Sequence, residues 1–395
     1  LKELTVSSIG KERVDAMAFT SNREKILRMQ QETEEAFQLL VTRSAPPLSG
    51  ARPVAKSAHY ASRGGTLTVA EVLEIGDSLR GVTRMQRYIA QTDDTVEDPY
   101  PLIRTMVSAL WTRGDLREKI ESTIESEDSI YDDATPELLR IRRSLARKKD
   151  QVRDKLQGIL NSADLQESLQ DSLITMRQGR YVVPVRHDAR SKVKGLVHDM
   201  SASGQTVYIE PMAVVEINND IRELELNERE EIQRILEELS AIIGEDAEAF
   251  ANNEVLFADL DFIFAKAKLA SDQNAISPKL SKNKTTKLIN ARHPLIPADK
   301  VVPLSLELGG EAGGLIITGP NTGGKTVSLK TLGLMVLMTQ HGLHIPADKG
   351  TVIGIYDGVY ADIGDEQSIE QSLSTFSGHM MNIIDILNPV SYTHL

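Results

Sequence analysis

One octapeptide constrains this 395-residue chain more than any other feature. Gly319-Pro320-Asn321-Thr322-Gly323-Gly324-Lys325-Thr326 carries the spacing G-x-x-x-x-G-K-[ST]. A short β-branched run, Leu315 to Thr318, precedes it. An apolar helical pattern through Val327, Leu329, Leu332, Val336 and Leu337 follows. Strand, glycine loop and helix in that order predict a nucleotide site. Glycines let backbone N–H groups approach phosphates with no Cβ in the way. The helix start turns its partial positive charge toward the anion. Lys325 is placed to reach the β- and γ-phosphates of ATP, and the Thr326 hydroxyl to ligate Mg²⁺, so these two are the candidate catalytic residues.

Hydrolysis also needs a carboxylate on the metal side and a group that positions water. Gly358-Val359-Tyr360-Ala361-Asp362, followed by Asp365 and Glu366, is a candidate Walker B strand. It is diluted by Gly358 and Ala361, with Gly354 and Asp357 just upstream. The alternative is a polar loop entering a helix that contains Met380, Ile383 and Ile386.

A second signal is a pair of helical seams. Leu138, Leu145, Val152 and Ile159 recur every seven residues, with Ile141 and Leu156 beside them. From Glu137 to Lys155 there are eight basic residues against three acids. The later seam runs through Val214, Ile217, Ile221, Leu224, Ile232, Ile235, Leu239 and Ile242. Glu228 and Glu231 interrupt its heptad, which predicts a stutter. Its flanks are acidic. Opposite flank charges predict an antiparallel pair, and a helix from Ala213 to Ile243 reaches about 45 Å. The alternative is two separately solvated faces.

Between the seams, RYVVPVR at Arg180 to Arg186 and GLVHDMSASGQTVYIE at Gly195 to Glu210 read as short strands with turns. Between Arg177 and Lys194, the basic residues Arg177, Arg180, Arg186, Arg190, Lys192 and Lys194 stand against Asp188 alone. Arg186, Arg190, Lys192 and Lys194 are candidate contacts to a nucleic-acid backbone, or else simply keep an exposed hairpin soluble. Before residue 133 the chain reads as helical scaffold, including a helix over Ala70 to Ile89. Ser44 to Gly65, rich in proline and glycine, reads as a long surface connection.

Composition narrows the remaining classes. The net charge of −12 excludes a whole-chain nucleic-acid footprint. The absence of cysteine excludes disulfides, thiolate catalysis and Cys-ligated zinc, and fits a cytoplasmic setting. No apolar run approaches the roughly 20 residues of a membrane span, and Leu1 opens no signal-peptide pattern.

Several segments together resemble the MutS family of ATPases, in the bacterial branch without mismatch recognition. They are GPNTGGKT at Gly319 to Thr326, GLHIPA at Gly342 to Ala347 and DIGDEQSIEQSLSTFSGHM at Asp362 to Met380. RQGRYVVPVR at Arg177 to Arg186, SASGQTVYIEP at Ser201 to Pro211 and LDFIFAKAKLA at Leu260 to Ala270 resemble it too. The resemblance implies a mixed α and α/β architecture. A helical core and lever domain would occupy 1–136, an ascending arm helix 137–176 and a β-rich clamp tip 177–212. The returning helix and core would span 213–275, and the N-terminal part of an ABC-like P-loop ATPase domain 276–390. Residues 391–395, SYTHL, resemble no family continuation and are expected to be foreign.

By resemblance, such proteins are homodimers that sandwich ATP and Mg²⁺ between two ATPase domains, with Ser374 touching the γ-phosphate in trans. Asp362, Asp365 and Glu366 would then belong to a signature region. The Arg292-His293-Pro294 turn resembles the loop near the base. The implied activity is ATP-driven change on nucleic-acid assemblies: splitting stalled, collided ribosomes through ribosomal RNA, suppressing recombination on branched DNA, or both. A C-terminal Smr domain supplies nuclease activity in full members. The family's Walker B Asp-Glu pair is expected after residue 390, so turnover by this stretch alone is in question. Two rivals are a non-catalytic clamp or dimerisation piece and a chromosome-structuring coiled-coil ATPase, whose phosphate loop would precede its coil.

Overall fold

The computed structural model describes residues 1–90, 98–310, 314–320, 324–362 and 384. In chain order the first elements are α1 (Ser8–Asp15), α2 (Arg23–Thr42), α3 (Ala55–Ser62), α4 (Val69–Ala90), α5 (Pro101–Ser108) and α6 (Gly114–Thr123). Next come β1 (Ile124–Ser126), β2 (Ser129–Ile130), α7 (Pro136–Leu160), α8 (Ala163–Gln166), β3 (Thr175–Arg177), β4 (Arg180–Arg186), β5 (Gly195–Met200) and β6 (Thr206–Pro211). The remainder are α9 (Met212–Glu245), α10 (Ala247–Asp272), β7 (Lys279–Leu280), β8 (Thr286–Ala291), β9 (Leu304–Leu308), α11 (Lys325–Gln340) and β10 (Val352–Ile353). The chain is therefore a mixed helical and sheet protein. Among the described residues no helix is long and apolar enough to cross a membrane.

The backbone divides into two compact units. One holds Leu1–Pro53, Arg80–Thr112 and the chain from Asn252 onward; the other holds Val54–Leu79 and Arg113–Ala251. The division falls inside α4 and α10.

In the second unit, side-chain caps start α4 and α7. Thr68 and Glu71 form a reciprocal capping box at the head of α4: Thr68 N donates to Glu71 Oε2 (2.9 Å) and Glu71 N to Thr68 Oγ1 (3.3 Å). Thr135 caps α7 by accepting from Leu138 N, and Pro136 occupies the first helical position, where no N–H is needed.

α7 and α9 pack antiparallel. Lys148 meets Asp220 (2.6 Å), Lys149 approaches Glu225 (3.9 Å) and Arg142 meets Glu228 (2.7 Å). Between these flanks Leu145, Val152 and Leu156 share one buried cluster with Val214, Ile217 and Ile221. The heptad drifts at both ends. Leu160 rather than Ile159 becomes fully buried on α7, because 3.6 residues per turn rotates a strict seven-residue row out of the contact. On α9 the interruption at Glu228 and Glu231 is filled by charge. Glu231, 7% exposed, accepts from the Thr135 hydroxyl (2.7 Å) and from Arg234.

The ascending helix expected to 176 stops at Leu160. The chain then turns onto the sheet, where Gln170 N donates to Pro184 O (3.0 Å) and Arg186 N to Ser168 O (2.9 Å). The sheet runs β3-β4-β6-β5, all antiparallel neighbours. Its Val183, Val185, Val207 and Ile209 complete the helix-pair core.

The long surface connection expected over Ser44 to Gly65 is corrected by the structure. Ala55–Ser62 is helix α3, and Leu48, Val54 and Ala58 are at most 1% exposed. Proline and glycine only bracket this helix, and its alanines let it lie close on α9. A Cβ on Gly244 would fall 2.7 Å from Ser62 N, so the contact needs glycine there.

In the first unit, α1, α2, α5 and part of α10 enclose an apolar core that includes Leu39, Ile103, Phe257 and Phe264. Buried carboxylates fasten it. Asp261 accepts from Val6 N, Ser7 N and the Ser7 hydroxyl. Glu35 accepts from Leu102 N and Ile103 N (both 2.9 Å) at the start of α5, and burial raises its carboxyl above the usual range. A second sheet, β7-β10-β8-β9, packs on α11 through Leu288, Ala291, Met335, Val336 and Ile353.

Candidate functional site: a glycine loop and a basic sheet

The loop that precedes α11 lies in the first unit. Gly324 sits at the helix N-cap with φ 78° and ψ 15°, a left-handed conformation that glycine adopts without penalty. No side chain caps the first turn of α11. A helix start without a side-chain cap is where a bound anion commonly completes the first turn. Gly319 also has positive φ, and a Cβ at either glycine would meet nothing within 4 Å. Among the described residues nothing crowds either glycine.

Lys325 folds back so that its Nζ donates to Gly319 O (2.7 Å). Thr326 is exposed on the first turn. Pro320 is described; Asn321, Thr322 and Gly323 lie outside the described residues, as do Asp365, Glu366, Ser374, Met380, Ile383 and Ile386.

Two strand expectations around the loop are not met. Leu315 to Thr318 carries no ladder, and Ile316 is 89% exposed. β-branched residues make a strand only where a neighbour supplies hydrogen bonds, and among the described residues none lies alongside. Gly358 to Asp362 likewise forms no strand. Gly358 and Ala361 give little side chain to pack, and Asp362 is exposed at its end.

The far end of α11 is tied down instead. Gln340 Nε2 donates to Thr20 O (2.9 Å) and Tyr356 O (2.8 Å), and its Oε1 accepts from Tyr356 N (3.0 Å). The GLHIPA segment then seats on α2. Thr33 donates to Gly342 O (2.8 Å), and a Cβ on Gly342 would fall 2.3 Å from Met29 Cβ. His344, 3% exposed, stands 3.6 Å from Glu34, and burial holds its imidazole below the usual range. Arg292 is held in the same region: its N donates to Pro346 O and its guanidinium reaches Asn274 O and Asp348.

Sequence reasoning passed over Gln340. The only signal was a polar side chain closing an otherwise apolar helix, which also fits an ordinary helix end.

The four candidate nucleic-acid contacts lie in the second unit: Arg186 ends β4, and Arg190, Lys192 and Lys194 lie on the segment between β4 and β5. Arg186 is bound to Asp188 (2.7 Å), which raises the arginine and lowers the aspartate relative to their usual ranges. Arg190, Lys192 and Lys194 are exposed and make no ion pair among the described residues. The other basic residues of this region are engaged. Arg177 lies 4.1 Å from the Tyr208 ring centroid and 3.3 Å from Asp199. Arg180 binds Glu210 (2.8 Å), a carboxylate with no exposure that also takes His198 and Asn218. The sheet thus has an inner polar network and an outer trio of unpaired cations.

Comparison with known proteins adds a second line. Residues 315–395 match the family model for MutS domain V. The chain is 46% identical over 391 residues to an endonuclease MutS2 of Alkaliphilus oremlandii, covering 99% of this chain and 49% of that protein. It is 44% identical over 392 residues to an endonuclease MutS2 of Clostridioides difficile, with 99% and 49% covered. A Geobacillus endonuclease MutS2 is 44% identical over 395 residues, with 100% and 50% covered. The chain spans about half the length of these relatives.

Proposed function

The chain belongs to the MutS family, in its MutS2 branch, and on that premise we propose that it is an ATP-responsive module acting on nucleic acid. ATP binds at residues 319–326 and changes how the helix pair and its sheet hold a nucleic-acid assembly. The observation that carries this reading is the asymmetry of α11. Its first turn is uncapped behind a left-handed glycine, while its last turn is anchored to the chain around Thr20 and Tyr356.

The residues fit the ligand. A helix start with no side-chain cap, behind positive-φ glycines at 319 and 324, suits phosphate oxygens. Lys325 exchanges the Gly319 carbonyl for the β- and γ-phosphates. The Thr326 hydroxyl is the protein's ligand to Mg²⁺, which supplies charge neutralisation when bound. A second copy of the chain contributes Ser374 across the γ-phosphate, making the working form a homodimer. Arg190, Lys192 and Lys194, with Arg186 weakened by Asp188, contact backbone phosphates of ribosomal RNA on stalled ribosomes or of branched DNA. The nuclease activity in the relatives' name is assigned to the Smr domain rather than to these residues.

A second reading, binding without turnover, is favoured by one observation. Among the described residues the Gly358 to Asp362 run forms no strand that would aim a carboxylate at the loop.

Binding of a fluorescent ATP analogue with Mg²⁺, measured beside phosphate release, separates the two. Lys325→Ala is expected to weaken nucleotide binding about tenfold to a hundredfold, the value of a charged hydrogen bond of roughly 1.5–3 kcal/mol. Unaltered affinity in that variant would remove the loop assignment. Replacing Arg186, Arg190, Lys192 and Lys194 by alanine is expected to flatten the salt dependence of duplex or ribosomal RNA binding. The logarithmic slope changes by about 0.9 per lost phosphate contact on duplex DNA. The same slope in the variant would discard the basic sheet as the contact surface.

A further inference from the structure

Within the first unit, α1, α2, α5 and α10 border a cavity of about 620 Å³. Lys266 of α10 lines it. The side chain is 2% exposed, yet its amine makes no hydrogen bond and no ion pair with any described residue. Nearby carboxylates are already committed: Asp259 to Arg13, and Glu32 to Arg28 (3.0 Å).

The closest compensation for Lys266 is the Phe262 ring, 4.9 Å from its Nζ. Arg13 lies over the same ring at 5.3 Å. Two cations thus share one aromatic ring, and Lys266 has no direct ion pair among the described residues. A buried ammonium in that position is costly unless something pairs with it. Met29, Met106, Leu256 and Ile263 give the wall an apolar stretch beside a charged rim of Glu24, Lys25, Arg28, Glu32 and Asp259, and the volume falls within the range of small-molecule sites.

We propose that this cavity binds a small organic anion, a carboxylate or phosphate monoester whose charged head pairs with Lys266 and whose apolar body lies on the Met29, Met106, Leu256 and Ile263 wall. A lysine serving only to stack on Phe262 needs no cavity in front of it. The site stands apart from the glycine loop and does not depend on the nucleotide reading.

Burial lowers the Lys266 amine to about 8, with Glu32 and Asp259 opposing that shift and Arg13 reinforcing it. His344, which follows α11, also feels the lysine charge and is held toward its neutral form by burial. At pH 7 the amine is therefore mostly protonated and attracts an anion; above about 8 that attraction fades.

Calorimetric titration of the 395-residue chain with hexanoate, phenyl phosphate, inorganic phosphate and hexanol tests the proposal. One-to-one binding of hexanoate or phenyl phosphate at pH 7 is expected. Whichever of the two binds more tightly identifies the head group. Affinity is expected to fall at pH 9, to fall at least about tenfold in Lys266→Met, and to be absent for hexanol. That factor equals about 1.4 kcal/mol. Equal binding of hexanol, no saturable binding of either organic anion, or an unchanged constant in Lys266→Met overturns it; tighter binding of inorganic phosphate than of either organic anion overturns the apolar half. A second measurement needs no variant. Hexanoate or phenyl phosphate must slow acylation of Lys266 by acetic anhydride while leaving the exposed Lys56, outside the cavity, unaffected, and absence of that protection also overturns the site.

Discussion

The helix pair of the second unit and the glycine loop of the first are opposite solutions to the same problem of placing charge and backbone polarity. In the pair, acids that break the apolar seam are met by partners from within the chain: Glu228 by Arg142, Glu231 by Thr135 and Arg234. At the loop, the first turn of α11 has no side-chain cap, and the run before it has no strand neighbour among the described residues. A region whose charges are met from within behaves as a scaffold; a helix start without a side-chain cap is the proposed place for a ligand. Stability in the first is set by packing, and in the second it is open to mass action.

That contrast gives a graded set of expectations. Leu156→Ala, at a fully buried seam position, is expected to cost about 3 kcal/mol in denaturant unfolding, whether or not nucleotide is present. A loss under about 1 kcal/mol would mean the seam is not the packed core of the second unit. ATP with Mg²⁺ at a hundred times its dissociation constant is expected to stabilise the first unit by about 2.7 kcal/mol. Hydrogen exchange should place the protection in α11 and leave α7 and α9 unchanged. Equal protection of both regions would erase the distinction.

Smaller effects follow from the charges. Glu231 has its carboxyl held below the usual 4.5 mainly by Arg234, then by Thr135. Its contribution is therefore complete above the unfolded value and fades as pH drops through the lower folded value. Glu231→Gln should remove that part of the acid sensitivity of the second unit, read as a flatter stability curve below pH 4.5. Lys148→Ala removes a pair whose side chains are 37% and 44% exposed, and is expected to cost less than about 1 kcal/mol and less still in high salt.

Much of this was readable beforehand, for identifiable reasons. The two seams were legible because burial on a helix imposes a period, and the strands at Arg180 to Arg186 and Thr206 to Pro211 because valine and tyrosine cluster between turn residues. Helix α3 was hidden by flanking prolines and glycines, whose punctuation outweighed an eight-residue alanine pattern. The β-branched run at Leu315 to Thr318 misled in the other direction, since strand propensity says nothing about whether a neighbour is there. At the candidate site the spacing around Lys325 and Thr326 was plain, but the pairing of Arg186 with Asp188 was not weighed, although the two stand only two positions apart. Lys266 was invisible because a lysine in an apolar helix reads as an exposed one until burial is known.

Gln340 gives α11 a pivot. Sixteen residues at 1.5 Å each make the helix about 24 Å long. With its trailing end clasped by Thr20 and Tyr356, a displacement of about 1 Å at Lys325 becomes a tilt of roughly 2° about that clasp rather than a slide along the axis. Strain from the proposed phosphate capture would thus be steered sideways into the sheet packed on α11, where Leu288 and Ile353 would have to yield or pass it on.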